Sequence, residues 1–144
     1  MSYSVDVNVL LHASDTSSPK HSEAIRFLEQ RASDPDLFCI AWSTLIAYLR
    51  ISTHPRIFAR PLSPGEALGN VESLLSLPRV HALSEGEGFL EIYHEVTAHF
   101  PVRGNLVPDA HLAALLRQHG VRRLYTLDRD FRKFDFLEVV DPFA

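Results

Sequence analysis

Four aspartates stand where secondary-structure elements should begin or end. They are Asp6 in Val5-Asp6-Val7-Asn8, Asp109 in Val107-Pro108-Asp109-Ala110-His111, and Asp128 with Asp130 in Thr126-Leu127-Asp128-Arg129-Asp130-Phe131. Carboxylates at the ends of buried elements lose hydration, which costs free energy unless a cation sits among them. Oxygen donors of this kind suit a hard divalent ion, Mg²⁺ or Mn²⁺, and the eight histidines show no zinc spacing. An open carboxylate cage leaves room for water on the ion, an arrangement suited to in-line hydrolysis of a phosphodiester. Competing nucleophile motifs are absent: there is no Gly-x-Ser-x-Gly, no Walker loop and no His-Glu-x-x-His. A phosphatase with an Asp-x-Asp nucleophile after the first strand would need an acid at position 8, which is Asn8.

Taken singly, Asp109 reads as a first-turn helix residue, and Asp128 with Asp130 as turn residues. Asp6 is different, because it lies in an apolar strand where an unpartnered acid is expensive. The three segments together point to a site.

The elements that must position these acids follow from hydrophobic spacing. Tyr3 to Asp6 reads as a short strand. Pro19 marks a helix start, followed by Ala24, Phe27, Leu28 and Ala32 as one apolar stripe. Leu37 to Ala41 is a continuous apolar run, as in a strand buried on both faces. Ser43 is placed to cap a helix from Thr44 to about Ser52, which His54-Pro55 ends. Ser63 with Glu66, and Ser84 with Glu87, have capping-box spacing before two further helices. Val80 to Leu83 reads as the strand between them. A helix from about Pro108 to His119, a strand from Val121 to Thr126 and a short strand near Glu138 to Val140 complete the chain. This alternation predicts one α/β domain over residues 1–144 with a mostly parallel central sheet flanked by helices. In such folds ligands collect beyond the carboxyl ends of the strands, near a switch in strand order.

Composition sets outer bounds. The chain is 46 % hydrophobic and 22 % charged, ordinary proportions for a globular protein. The single cysteine, Cys39, lies within an apolar run and reads as a core residue, so no disulfide or thiolate metal site is available. No apolar stretch has the length of a membrane span, and a cytoplasmic location is the expectation. The formal net charge is -4, so any nucleic-acid contact must come from a local basic patch rather than from the molecule as a whole.

Longer motifs carry a resemblance. Asp6-Val7-Asn8-Val9-Leu10, Leu49-Arg50-Ile51-Ser52-Thr53-His54-Pro55-Arg56-Ile57-Phe58, Gly104-Asn105-Leu106-Val107-Pro108-Asp109-Ala110-His111-Leu112-Ala113-Ala114, Thr126-Leu127-Asp128-Arg129-Asp130-Phe131 and Asp141-Pro142 occur in that order. Together they resemble the PIN-domain family, most closely the VapC-type toxins of bacterial toxin–antitoxin systems, over nearly the whole chain. The resemblance implies a three-layer PIN-like sandwich and a Mg²⁺-dependent endoribonuclease. Its metal would be held by Asp6, Asp109 and Asp128, with Asn8 and Thr126 supporting them through hydrogen bonds. Asp130 would either support the others or bind a second ion. The resemblance further implies a cognate antitoxin protein, an RNA substrate and a homodimer. One position departs from it: many relatives carry a glutamate just before the Leu-Arg of the second motif, where this chain has Ala47. A catalytically inert domain acting by RNA or antitoxin binding is the alternative that Ala47 raises.

For RNA contact, Arg50, His54, Arg56 and Arg60 form one basic stretch, and Arg129, Arg132 and Lys133 another. Solvated surface is the plain reading of both. Trp42 and Phe58 are able to stack on bases, although burial in the core is the expectation for each. Glu87, Glu91 and Glu95 fall at four-residue spacing and read as a solvated helix stripe.

Overall fold

A computed structural model describes all residues, 1–144. Five strands form one wholly parallel sheet: β1 (Ser2–Val5), β2 (Leu37–Ala41), β3 (Val80–Leu83), β4 (Arg123–Tyr125) and β5 (Glu138–Val140), in the order β3-β2-β1-β4-β5. The helices are α1 (Val7–Ser14), α2 (His21–Arg31), α3 (Trp42–Ser52), α4 (Pro64–Leu75), α5 (Phe89–Val96) and α6 (Leu106–Gln118), with a 3₁₀ turn at Arg129–Lys133.

Alternation along the strands divides the core in two. Tyr3, Val5, Phe38, Ile40 and Val80 face one side and pack with apolar residues of α1 to α4. Cys39, Ala41, Leu83 and Leu124 face the other, against α6, Val96 of α5 and the Phe131–Phe134 turn. The result is helices, sheet, helices. No helix is long and apolar enough to cross a membrane.

The order of strands places the functional end. From β1 the chain winds outward to β2 and β3, then returns to build β4 and β5 on the opposite flank. The switch therefore lies between β1 and β4, where Val5 pairs with Tyr125. Asp6 and Thr126 are the next residues on these two strands. Their backbones continue the ladder, Asp6 N donating to Tyr125 O and Thr126 N to Val140 O, each at 3.0 Å.

Several boundaries differ from the sequence expectation. Val7–Ser14 is a helix that apolar spacing alone did not reveal, because Val7, Val9 and Leu10 continue the strand-like run. Asp6 starts it as N-cap, accepting from Val7 N at 2.7 Å. Ser43 does not cap α3: the N-cap is Ala41, and Ser43 lies inside the helix. The Ser63–Glu66 capping box forms with both bonds, at 3.1 and 3.2 Å. The Ser84–Glu87 box does not, since α5 starts only after Gly88, whose φ of 78° is the left-handed conformation that suits glycine. Glu87 consequently lies outside α5 and only Glu91 and Glu95 share its surface. The Ser84–Gly88 loop is held instead from α6, by Gln118 Oε1 accepting from Gly86 N and Gln118 Nε2 donating to Glu87 O. Trp42 also departs from expectation. It is 46 % exposed at the start of α3, whereas Phe58 and Cys39 are buried.

Candidate metal centre

Asp6 emerges from β1 with its carboxylate pinned at several points. Besides the bond from Val7 N, Thr126 Oγ1 donates to Asp6 Oδ2 at 2.9 Å and Asn8 Nδ2 donates to the same oxygen at 3.3 Å. Burial raises the pKa of Asp6, opposed by the bonds from Thr126 and Val7 and assisted by the charge of Asp128.

Thr126 is buried and links the two strand ends. Its hydroxyl donates to Asp6 while accepting from Asp128 N at 3.0 Å and lying 3.4 Å from Asn8 Nδ2. Asp128 in turn caps the 3₁₀ turn, its Oδ1 accepting from Asp130 N at 2.9 Å. That turn is anchored by Phe131, fully buried in the core beside α6. Asp109 comes from the first turn of α6, whose residues Ala110, Ala113 and Ala114 pack with no exposure at all.

Carboxylate oxygens of Asp109, Asp128 and Asp130 lie within 4.8 Å of one another. Asp6 is not one of that trio, but it shares a cleft of about 620 Å³ with Asp109. Burial pushes the pKa of Asp109 up to about 6, helped by the charges of Asp128, Asp6 and Asp130 and only partly offset by Lys133. A partly buried acid with other carboxylates around it is unfavourable with all of them ionised, and a divalent cation reverses the sign of the interaction. The donors are wholly oxygen, as Mg²⁺ or Mn²⁺ requires. Asn8 Oδ1 is buried beside them with no hydrogen-bond partner. The residues thus fit a hard divalent ion.

The remainder of the cleft wall comes from α3, α5 and α6. Ser43, Thr44, Ala47 and Arg50 line one side, and Phe89, Tyr93 and His111 another. Ala47 therefore faces the cleft as a methyl group. His111 Nε2 hydrogen-bonds Glu85 Oε1 and its ring meets Phe89 edge-on at 5.4 Å. Sequence reasoning missed Glu85, whose segment looked like a helix cap, and it missed Thr44 and Tyr93, which carry no motif. Of the basic residues, Arg50 lines the cleft. Arg56 is exposed on the loop after α3, and Arg129 is exposed at the start of the 3₁₀ turn between Asp128 and Asp130. A separate cavity of about 390 Å³, walled chiefly by apolar residues of α1 to α4, shares none of the cleft's residues.

Comparison with known proteins accords with this architecture. The sequence profile of the PIN domain matches residues 3–137. The chain is 42 % identical to Ribonuclease VapC48 of Mycobacterium tuberculosis over 144 residues, 100 % of this chain and 99 % of that protein. It is 34 % identical to Ribonuclease VapC37 of the same organism over 131 residues, covering 91 % and 90 % of the two. Among solved structures, VapBC2 from Rickettsia felis, bound to a DNA fragment from its promoter, superposes with a TM-score of 0.70. That alignment has 16 % identity and covers 97 % of this chain and 98 % of the other. With its parallel sheet, its acidic strand ends and full-length relatives of this kind, the chain belongs to the PIN-domain family, among the VapC proteins.

Proposed function

We propose that this protein is a Mg²⁺-dependent endoribonuclease that acts as the toxin of a toxin–antitoxin pair, with Mn²⁺ an alternative ion. The observation that carries the reading is that acids of α6 and of the turn after β4 lie within 4.8 Å of one another, that Asp6 of the β1 end shares a cleft with one of them, and that burial together with these charges raises Asp109 to about 6. The relatives named ribonucleases support RNA as substrate, and the VapBC neighbour supports an antitoxin protein as partner.

Asp6, Asp109 and Asp128 would hold the ion, with Asp130 within reach of the last two. When bound, Mg²⁺ supplies positive charge to phosphate oxygens and makes water a better nucleophile. The chain's own residues do the positioning. Thr126 and Asn8 fix the Asp6 carboxylate, and Thr126 also orients the Asp128 backbone. Asp109 must be deprotonated to serve, so a proton on its carboxyl oxygen competes with the ion at low pH. Arg50 and Arg129 flank the acids and are suited to phosphate contact, and Arg56 lies farther out on the α3–α4 connection.

Incubating purified protein with RNA in Mg²⁺ or in EDTA tests this directly. Cleavage should require the ion and vanish in an Asp6→Ala, Asp109→Ala double variant. Cleavage that persists in both situations would refute the reading. The methyl group of Ala47 on the cleft wall favours a second reading, a PIN domain that binds RNA or antitoxin without cutting, and RNA binding with no Mg²⁺-dependent cleavage in the same assay would select it.

A further inference from the structure

Two parts of the cleft lining differ in chemistry. One carries Asp6 and Asp109; the other is α3, where Ser43, Ala47 and Arg50 recur at four- and three-residue spacing and so share a face, with Thr44 beside them. We propose that this α3 wall is a subsite for the backbone phosphates of a single-stranded RNA, separate from the acids that hold the ion. The proposal rests on the nuclease reading and adds where the substrate's strand lies.

Three observations carry it. The N-terminus of α3 has no side-chain cap, because Ala41 occupies the N-cap, so no side chain competes with an anion there and the helix dipole favours one. Thr44 is only 5 % exposed and lines the cleft, yet its hydroxyl has no partner in the protein. Thr53 and Thr97 bond back to carbonyls one turn earlier, at Leu49 and Tyr93, but Thr44 does not. Nor is Thr44 Oγ1 one of the sealed, unpartnered polar atoms, which are Tyr3 Oη, Ser4 Oγ, Asn8 Oδ1 and Ser52 Oγ. Its hydroxyl therefore keeps some exposure, at a residue that lines the cleft. Arg50 supplies the positive charge two turns along.

Ala47 gains a role from this arrangement. It sits between the hydroxyls and Arg50, and a carboxylate there would engage the arginine and repel phosphate. A methyl group leaves every donor on the wall uncovered. The wall thus offers amides, two hydroxyls and a guanidinium, and no acid of its own.

Binding of an end-labelled oligouridylate, measured in EDTA so that no cleavage occurs, tests the subsite. Thr44→Val and Ser43→Ala should each weaken binding about tenfold or more, the size of one hydroxyl bond to a charged phosphate. Arg50→Ala should weaken it about tenfold at low salt and reduce the salt slope by about 0.7, one phosphate on a single strand. Ala47→Glu should weaken it at least as much. Ser43 and Arg50 are exposed, so these two variants report even where Thr44→Val perturbs the core. Unchanged affinity in all four variants, tighter binding by Ala47→Glu, or no binding by the parent protein would overturn the proposal. So would displacement of the probe by a polyglutamate peptide at matched charge, which would assign the wall to a protein partner. A failed nuclease reading is seen separately, as missing Mg²⁺-dependent cleavage with these affinities intact.

Discussion

At the scale of single residues, the chemistry of the cleft comes down to what burial, and then the neighbouring carboxylates, cost an ionised acid. Asp109 shows this most clearly, with its pKa at about 6. An unfolded aspartate titrates near 3.9, so the folded protein binds this proton more tightly. The stability this group contributes is fully present below about pH 4 and is lost as pH rises through about 6. Asp109 is half-buried, and solvent screening limits the effect to the order of 1 kcal/mol. In EDTA, the melting temperature of the parent relative to Asp109→Asn should therefore fall by a few degrees between about pH 4 and about pH 7. A difference that stays flat with pH would show that Asp109 is not strained. Thr126 is the counterpart on the favourable side. It is one hydroxyl that serves Asp6, Asp128 and Asn8, and its place beside the first strand is set by the β1–β4 pairing.

At the scale of elements, helix starts explain where sequence reasoning succeeded and where it failed. Ser63–Glu66 and Ser84–Glu87 share the same spacing, but only the first caps a helix. The second segment is drawn away by Gln118, which takes Gly86 N and Glu87 O, and by His119 Nε2, which meets Ser84 O at 2.8 Å. Ser63→Ala should then cost about 1 kcal/mol in urea unfolding, and Ser84→Ala close to nothing. Equal losses would contradict the assignment of the caps. The missed helix α1 has a related cause. Its residues alternate no differently from a strand, and what converts them is Asp6 leaving the sheet in an extended conformation and accepting from Val7 N. The acid that looks catalytic is also the local stop signal of β1.

At the scale of the whole molecule, Asp109, Asp128 and Asp130 are brought together by packing on one face of the sheet. The turn bearing Asp128 and Asp130 is held by Phe131, with 0 % exposure, between α6 and the sheet. Phe131→Ala should cost about 3–5 kcal/mol, and the folded fraction should bind Mg²⁺ more weakly because the turn loses its anchor. Val71→Ala, in the core on the opposite face, should lower stability while leaving Mg²⁺ affinity unchanged. Isothermal titration of both variants separates the two effects, and equal affinities would dissociate the turn's position from its anchor.

The amino-acid order alone determined the α/β alternation, the ends of β2 and β3 and the Ser63 cap, because each is written in spacing within a few residues. Tertiary structure alone decided that β1 and β4 are neighbours, that Asp130 comes within 4.8 Å of Asp109 and Asp128, and that Ala47 and Thr44 face the cleft. Those are contacts between segments far apart along the chain. No local periodicity encodes them, since they arise from how two helical layers close over one sheet.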